Sequence, residues 1–168
     1  MYQGKSIRLR PFERSDQKKY RDWVNNSEIA SLVDRVLPVS DHEHEKWYSS
    51  IIENRNCVFF AIESIKPVKH IGAIWLWNID SRHRKAELRV LIGESSAVNK
   101  GLGTEAIAMI SSFAFNKLNL HRLYAYVLLK NARAIRAFEK AGFVKEGELR
   151  EDRFIDGVYE DVAFMALI

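Results

Sequence analysis

One cysteine in 168 residues cannot close an internal disulfide. Cys57 lies in the strand-like run Cys57-Val58-Phe59-Phe60-Ala61-Ile62, where it reads as a small buried hydrophobe rather than a nucleophile. No apolar stretch approaches the ~20 residues of a membrane span, and the first residues lack the apolar core of a signal peptide, so a cytoplasmic chain without a membrane partner is expected. Charge of one sign is missing too. The 26 Lys and Arg against 22 Asp and Glu leave a net +4, scattered rather than gathered, and nucleic acid is not indicated. His42 and His44 flank Glu43 and Glu45, but residues two apart on a helix point away from each other, so no ligand pair converges. No metal is expected, and His44 reads as half-buried.

What remains is ordinary globular material: 47% apolar and 29% charged residues, enough for one domain over 1–168 with a single core. Residues 6–12 alternate as a strand with one buried face. Ser15 is placed to cap a helix carrying Tyr20, Trp23 and Val24, and the segment from there to Pro38 reads as loop or short helix. Ser40 and Glu43 have capping-box spacing ahead of the stripe His44, Trp47, Tyr48, Ile51, which predicts a second helix. Strands over 57–64 and 69–79 follow, joined through Lys66-Pro67-Val68. Trp75 and Trp77 share one face of the latter, to fill core or to stack on a substrate. After residues 81–85, a basic turn, come further strands over 87–93 and 121–128. A closing hairpin, 146–153 with 158–167, turns at Asp156-Gly157, a dipeptide suited to positive φ.

The chemistry concentrates in Asn99-Lys100-Gly101-Leu102-Gly103-Thr104, between the strand ending at Gly93 and a helix with Leu102, Ala106, Met109, Ile110 and Phe113 on one face. Glycines there let backbone N–H groups and the positive end of a helix dipole converge on one anion. A P-loop is excluded, because its lysine follows the second glycine and here Lys100 precedes the first. Gly101-x-Gly103-x-x-Ala106 fits the letters of a dinucleotide fingerprint. That motif also needs an acidic residue about 20 positions on, where this chain has Tyr124-Ala125-Tyr126-Val127.

A second block, Asn131-x-x-Ala134-x-x-x-Phe138-x-Lys140-x-Gly142-Phe143, stands at the distance that decides the matter. Together, Val98-Asn99-Lys100-Gly101-Leu102-Gly103 and this block resemble the Gln/Arg-x-x-Gly-x-Gly/Ala loop and the Asn-x-x-Ala segment of the GNAT superfamily of N-acetyltransferases. The resemblance implies an α/β, single-domain GNAT-like fold: a mixed, mostly antiparallel sheet splayed at its centre, with helices on both faces. It implies acetyl-CoA as cosubstrate, entering the gap beside the strand of Tyr124.

Leu91, Ile92 and Gly93 would pair with its pantetheine arm. Val98, Asn99, Lys100, Gly101, Leu102, Gly103 and Thr104 would take the pyrophosphate, and Asn131 and Phe138 would meet the cofactor from the other side. A backbone N–H near Leu91 or Ile92 is the natural oxyanion donor.

The attacking amine must be neutral, whereas a lysine-type amine with pKa about 10.4 is protonated at neutral pH. Glu87 shares a strand face with Arg89 and Leu91, and is either the base or the partner of an ion pair with Arg89. The tyrosine that usually protonates the departing thiolate falls at Phe138, which has no hydroxyl, so Tyr126 and Tyr159 become the substitutes. A thiol with pKa near 8.5 leaves without strong assistance.

The closing segment 149–162 looks like the branch holding ribosomal-protein alanine, spermidine and amino-sugar acetyltransferases. Residues 25–50, expected as the acceptor wall, interleave Glu28, Asp34, Asp41, Glu43 and Glu45 with Arg35, His42, His44 and Lys46. That balance orders the acceptors as peptide N-terminus, then nucleotide-linked amino sugar, then polyamine. The rival class is a non-catalytic coenzyme A sensor or scaffold, and a monomer or homodimer is expected in either case.

Overall fold

A computed structural model describes residues 1–33 and 35–168. Its centre is one eight-stranded sheet, ordered β1-β2-β3-β4-β5-β6-β8-β7. The strands are β1 (Tyr2–Gln3), β2 (Ile7–Pro11), β3 (Val58–Ser64), β4 (Lys69–Asp80), β5 (Lys85–Ile92), β6 (Arg122–Leu128), β7 (Val144–Ile155) and β8 (Val158–Leu167). Every neighbouring pair is antiparallel except β5 and β6, which run parallel and pair only over Lys85↔Arg122, Ala86↔Leu123 and Glu87↔Tyr124. Beyond Glu87 the two strands part. On its other side β5 keeps pairing with β4 as far as Gly72↔Ile92, so residues 88–92 form a sheet edge in the middle of the molecule.

Strand alternation sends residues to two layers. Ile62, Ile74, Leu76, Leu88, Leu123, Ala125 and Met165 form a core with Ala106, Ile107 and Ile110 of α4 (Leu102–Asn116) and Phe138 of α5 (Ala132–Lys140). On the opposite face Ala61, Ala73 and Leu91 meet Tyr20, Trp23 and Val24 of α1 (Gln17–Val24) and Tyr48 and Ile51 of α3 (Asp41–Glu53). Small side chains on that side of the sheet make room for the indole and phenol rings.

The capping box at Ser40 forms as its spacing requires, with Ser40 N donating to Glu43 Oε2 at 2.9 Å. Asp156 (φ 50°) and Gly157 (φ 85°) make the hairpin turn, which suits the twist of the strands it joins. The ambiguous stretch holds a short helix α2 (Ser27–Leu32), capped by Asn26 Oδ1 accepting from Glu28 N at 3.0 Å.

Ser15 does not cap α1. A 3-10 turn over Arg14–Asp16 precedes the helix, and Glu13 N donates to Asp16 Oδ2 at 2.9 Å. Asp16 is fixed there because the Arg10 guanidinium, six residues earlier on β2, donates to both its oxygens at 2.7 and 2.9 Å. His44 is buried rather than half-buried, at 4% exposure. It stacks on Trp47 (4.7 Å) and Tyr20 (5.8 Å), and its Nε2 has no hydrogen-bond partner. Burial, and after it the positive charges of Arg21 and Arg35, hold its pKa below the ordinary histidine value.

Candidate functional site

Two cavities open where β5 and β6 separate. The first, about 290 Å³, runs between the β5 edge, the glycine loop and α5. Asn99 (φ 62°) and Gly101 (φ 76°) sit in left-handed conformations, which turn the chain sharply into α4. Gly101 is the N-cap and supplies no side-chain cap, so the first N–H groups of the helix face the cavity without an internal acceptor. A methyl at Gly103 would lie 3.6 Å from Ile92 Cγ1, ordinary contact, so packing does not demand glycine there; an open cavity does. This cradle suits a pyrophosphate.

Leu91, Ile92, Val98, Asn99, Gly101, Leu102, Gly103, Thr104, Asn131 and Phe138 all line this cavity. Lys100 does not line it and is exposed. Gly93 does not either. Its N–H donates to Ile71 O at 3.0 Å, and a Cβ there would fall 2.1 Å from the Trp23 indole, so this glycine serves the packing of α1. With the Gly93 N–H turned toward β4, the two-residue alternation of the ladder turns Leu91 the same way and leaves the N–H groups of Val90 and Ile92 facing the open edge. Ile92 is therefore better placed than Leu91 as a backbone donor.

Salt bridges tether the chain just past the strand. Glu94 pairs with Lys69 at 3.0 Å and Lys19 at 3.3 Å, and Lys19 Nζ also donates to His70 O at 2.6 Å.

Arg133 and Arg136, unremarked in the sequence, and Lys140, a letter of the second block with no role expected of it, line the same cavity from α5. Their spacing of three and four puts them on one helical stripe, a signal present in the sequence but easily taken for a solvated face. They add positive charge where a phosphorylated ligand would lie.

The second cavity, about 340 Å³, adjoins the first and shares Leu32, Val33, Val90, Asn131, Ala134 and Phe138 with it. Trp75, Glu87, Arg89, Tyr126 and Arg153 complete its wall. Trp75 is stacked on Phe59 at 4.9 Å and also lines the cavity. Glu87 is 7% exposed and its two oxygens accept from Arg89 Nε at 2.6 Å and Nη2 at 3.0 Å. Tyr126 is 43% exposed beside them. Its neighbour Tyr124 has a pKa raised first by burial and then by the charges of Glu87 and Tyr126.

Tyr159 is not brought to the site. It pairs with Phe154 near the hairpin turn, rings 4.9 Å apart, and lines neither cavity. Phe138 is buried edge-on against Phe143 at 5.0 Å between the two cavities.

Segment 25–50, expected as the acceptor wall, contributes little to the second cavity. Only Leu32 and Val33 of it line the second cavity, while Asp41 pairs with Arg21, Glu45 with Arg14 at 2.9 Å, and Glu43 closes its capping box; Asp34 lies outside the described residues. Among the described residues, no group of three or more His, Cys, Asp and Glu gathers as a metal site would need, and no helix is long and apolar enough to cross a membrane.

Comparison with known proteins gives a consistent result. A family model for the acetyltransferase (GNAT) domain matches residues 6–144. The spermidine N(1)-acetyltransferase of Vibrio cholerae is 32% identical over 162 residues, spanning 96% of this chain and 92% of that protein. The Escherichia coli K12 protein of the same name is 30% identical over 162 residues, spanning 96% and 86%. The crystal structure of the Vibrio cholerae spermidine N-acetyltransferase in complex with CoA and spermine superposes with a TM-score of 0.90 at 32% identity, covering 96% of this chain and 95% of that one. That enzyme has also been solved as a dodecamer (TM-score 0.82, 30% identity, 97% and 94% coverage), so the expectation of a monomer or homodimer draws no support from these relatives.

Proposed function

The chain belongs to the GNAT acetyltransferase family, and from that premise we propose that it transfers an acetyl group from acetyl-CoA to a primary amine of a polyamine. The observation that carries this reading is the meeting of the two cavities at Val90, Asn131 and Phe138, where the strands part and the cofactor slot opens onto a second chamber. The chain-long similarity to spermidine acetyltransferases supports the acceptor class. This reverses the order expected from sequence, in which polyamines came last. That order rested on a wall built from residues 25–50, whereas in our reading the acceptor enters the second cavity, to which that segment contributes Leu32 and Val33.

Acetyl-CoA fits the first cavity: the N–H groups at the start of α4 suit its pyrophosphate, the basic stripe of α5 its remaining phosphate, and the open backbone of Val90 and Ile92 its amide-rich arm. The cosubstrate supplies the activated acetyl group. In our reading Ile92 N–H steadies the charge that develops on the carbonyl oxygen, and Glu87 takes a proton from the amine through water. Tyr126, on the wall of the same chamber, returns a proton to the sulfur in place of the hydroxyl that Phe138 lacks. The charge-balanced lining of Glu87 and Arg89 favours a second reading, a peptide α-amine, whose lower pKa near 8 asks less of the base.

Thiol release from acetyl-CoA, measured over a panel of spermidine, alanyl peptides and amino-sugar nucleotides, tests the proposal. Spermidine should give the highest kcat/KM. Peptides ahead of spermidine would favour the second reading, and cofactor binding without turnover of any amine would leave a sensor.

A further inference from the structure

We infer that Arg89 is a specificity-determining residue, which holds down the preference for polycationic acceptors by closing an ion pair with the acceptor cavity's carboxylate. The inference rests on the reading of the second cavity as the acceptor site. Among the described residues lining that cavity, Glu87 is the only acidic one. A site that selects for several positive charges would present that carboxylate open. Here both oxygens are occupied by the planar fork of Arg89, from two residues along the same strand face.

The geometry makes the pair durable and asymmetric. Glu87 is buried at 7% exposure, so its charge is not diluted by water, whereas the Arg89 side chain is 46% exposed. The guanidinium also lies over the Trp77 ring, 5.8 Å from its centroid. A substrate entering from solvent therefore meets the cation of the pair before the anion. The remaining wall does not restore a negative field: Arg153 contributes a second guanidinium, itself paired with Asp152, and Tyr126 adds no carboxylate. The reacting amine is met by the chamber, but the distal ammonium groups of a polyamine gain little from it. The structure thus assigns this chain a broader acceptor range, in which amines without a second charge compete with polyamines.

A charge cycle tests this with one ratio, kcat/KM for spermidine over kcat/KM for hexylamine, which has no second ammonium. Arg89→Gln exposes the carboxylate and should raise the ratio about tenfold or more. Glu87→Gln leaves the guanidinium unopposed and should lower it by a similar factor. The double variant restores a neutral pair and should return the ratio to within about threefold of the parent. A change in base strength alone alters both rates and leaves the ratio in place, so this readout separates charge from proton transfer.

An unmoved ratio in Arg89→Gln, or a double variant that does not return, overturns the inference while the acetyltransferase reading stands. Turnover of neither amine by the parent overturns both. Should Arg89→Gln fail to fold, the parent alone decides. A neutral pair predicts that raising salt from about 0.05 to about 0.5 M changes both kcat/KM values alike, and a loss confined to spermidine would reveal an open anionic site and sink the idea.

Discussion

Replacing Gly93 by alanine puts a methyl group 2.1 Å from Cδ2, 2.3 Å from Cγ and 2.6 Å from Cε2 of Trp23, inside the indole ring rather than beside it. The ring cannot swing aside freely. Trp23 is 8% exposed, its face carries the Lys19 ammonium at 5.2 Å, and His70 abuts it at 4.9 Å. Overpacking of a filled core costs about 1–3 kcal/mol, and the upper half of that range is expected against a rigid ring. Trp23→Ala alone should cost about 3–5 kcal/mol through the cavity it leaves.

In the double variant the new methyl enters that cavity. Its cost should then fall toward zero, and the two losses should be sub-additive by about 1–3 kcal/mol. Urea denaturation of the four proteins reads this directly, since a slope of about 1–3 kcal/mol per molar converts midpoints to free energies. Strict additivity would refute the claim that Gly93 is retained for α1 packing and return it to the cofactor loop.

Other outcomes follow from the same contacts. Gly103→Val should abolish thermal stabilisation by acetyl-CoA while leaving the melting temperature of the free protein nearly unchanged, because its first carbon meets Ile92 at only ordinary contact distance; stabilisation equal to the parent's would remove the loop from the account. The depressed pKa of His44 means that the folded state favours the neutral ring. Its contribution to stability is complete above the unfolded value of about 6.5 and is lost as pH falls below it. His44→Phe keeps the stacking, removes the unpartnered Nε2, and should be as stable as the parent at pH 7.5 or up to about 1–3 kcal/mol more so. Its melting temperature should also drop less between pH 7.5 and pH 5.5 than the parent's, though not to zero change, because burial lowers the pKa of His70 as well; equal drops would refute the assignment.

What could be read from the chain in advance was what local chemistry decides. Asp156-Gly157 can turn a hairpin, Ser40 and Glu43 can close a box, and the glycines at 101 and 103 can open a helix onto an anion, whatever surrounds them. The errors came where groups outside the local pattern intervene. Asp16 rather than Ser15 starts the first helix because Arg10 draws it in. His44 is buried by Tyr20, from another helix. The acidic residues from which an acceptor wall was expected are spent on Arg14, Arg21 and a helix cap, pairings that their sequence order does not show. Tyr159 was a candidate only by residue type, and its register opposite Phe154 removes it. The short strand Tyr2–Gln3, visible only through its pairing with Arg8 and Leu9, carries no pattern long enough to read.

The parting of β5 and β6 has a thermodynamic side. A sheet whose central edge is left open is an incompletely paired fold, and whatever pairs with Val90 and Ile92 binds the folded chain but not the unfolded one. Ligand and fold are then linked by mass action: at a hundred times its dissociation constant the cosubstrate would add about 2.7 kcal/mol to the stability of the chain. A substitution judged tolerable in the presence of acetyl-CoA can therefore be one that the free protein does not survive.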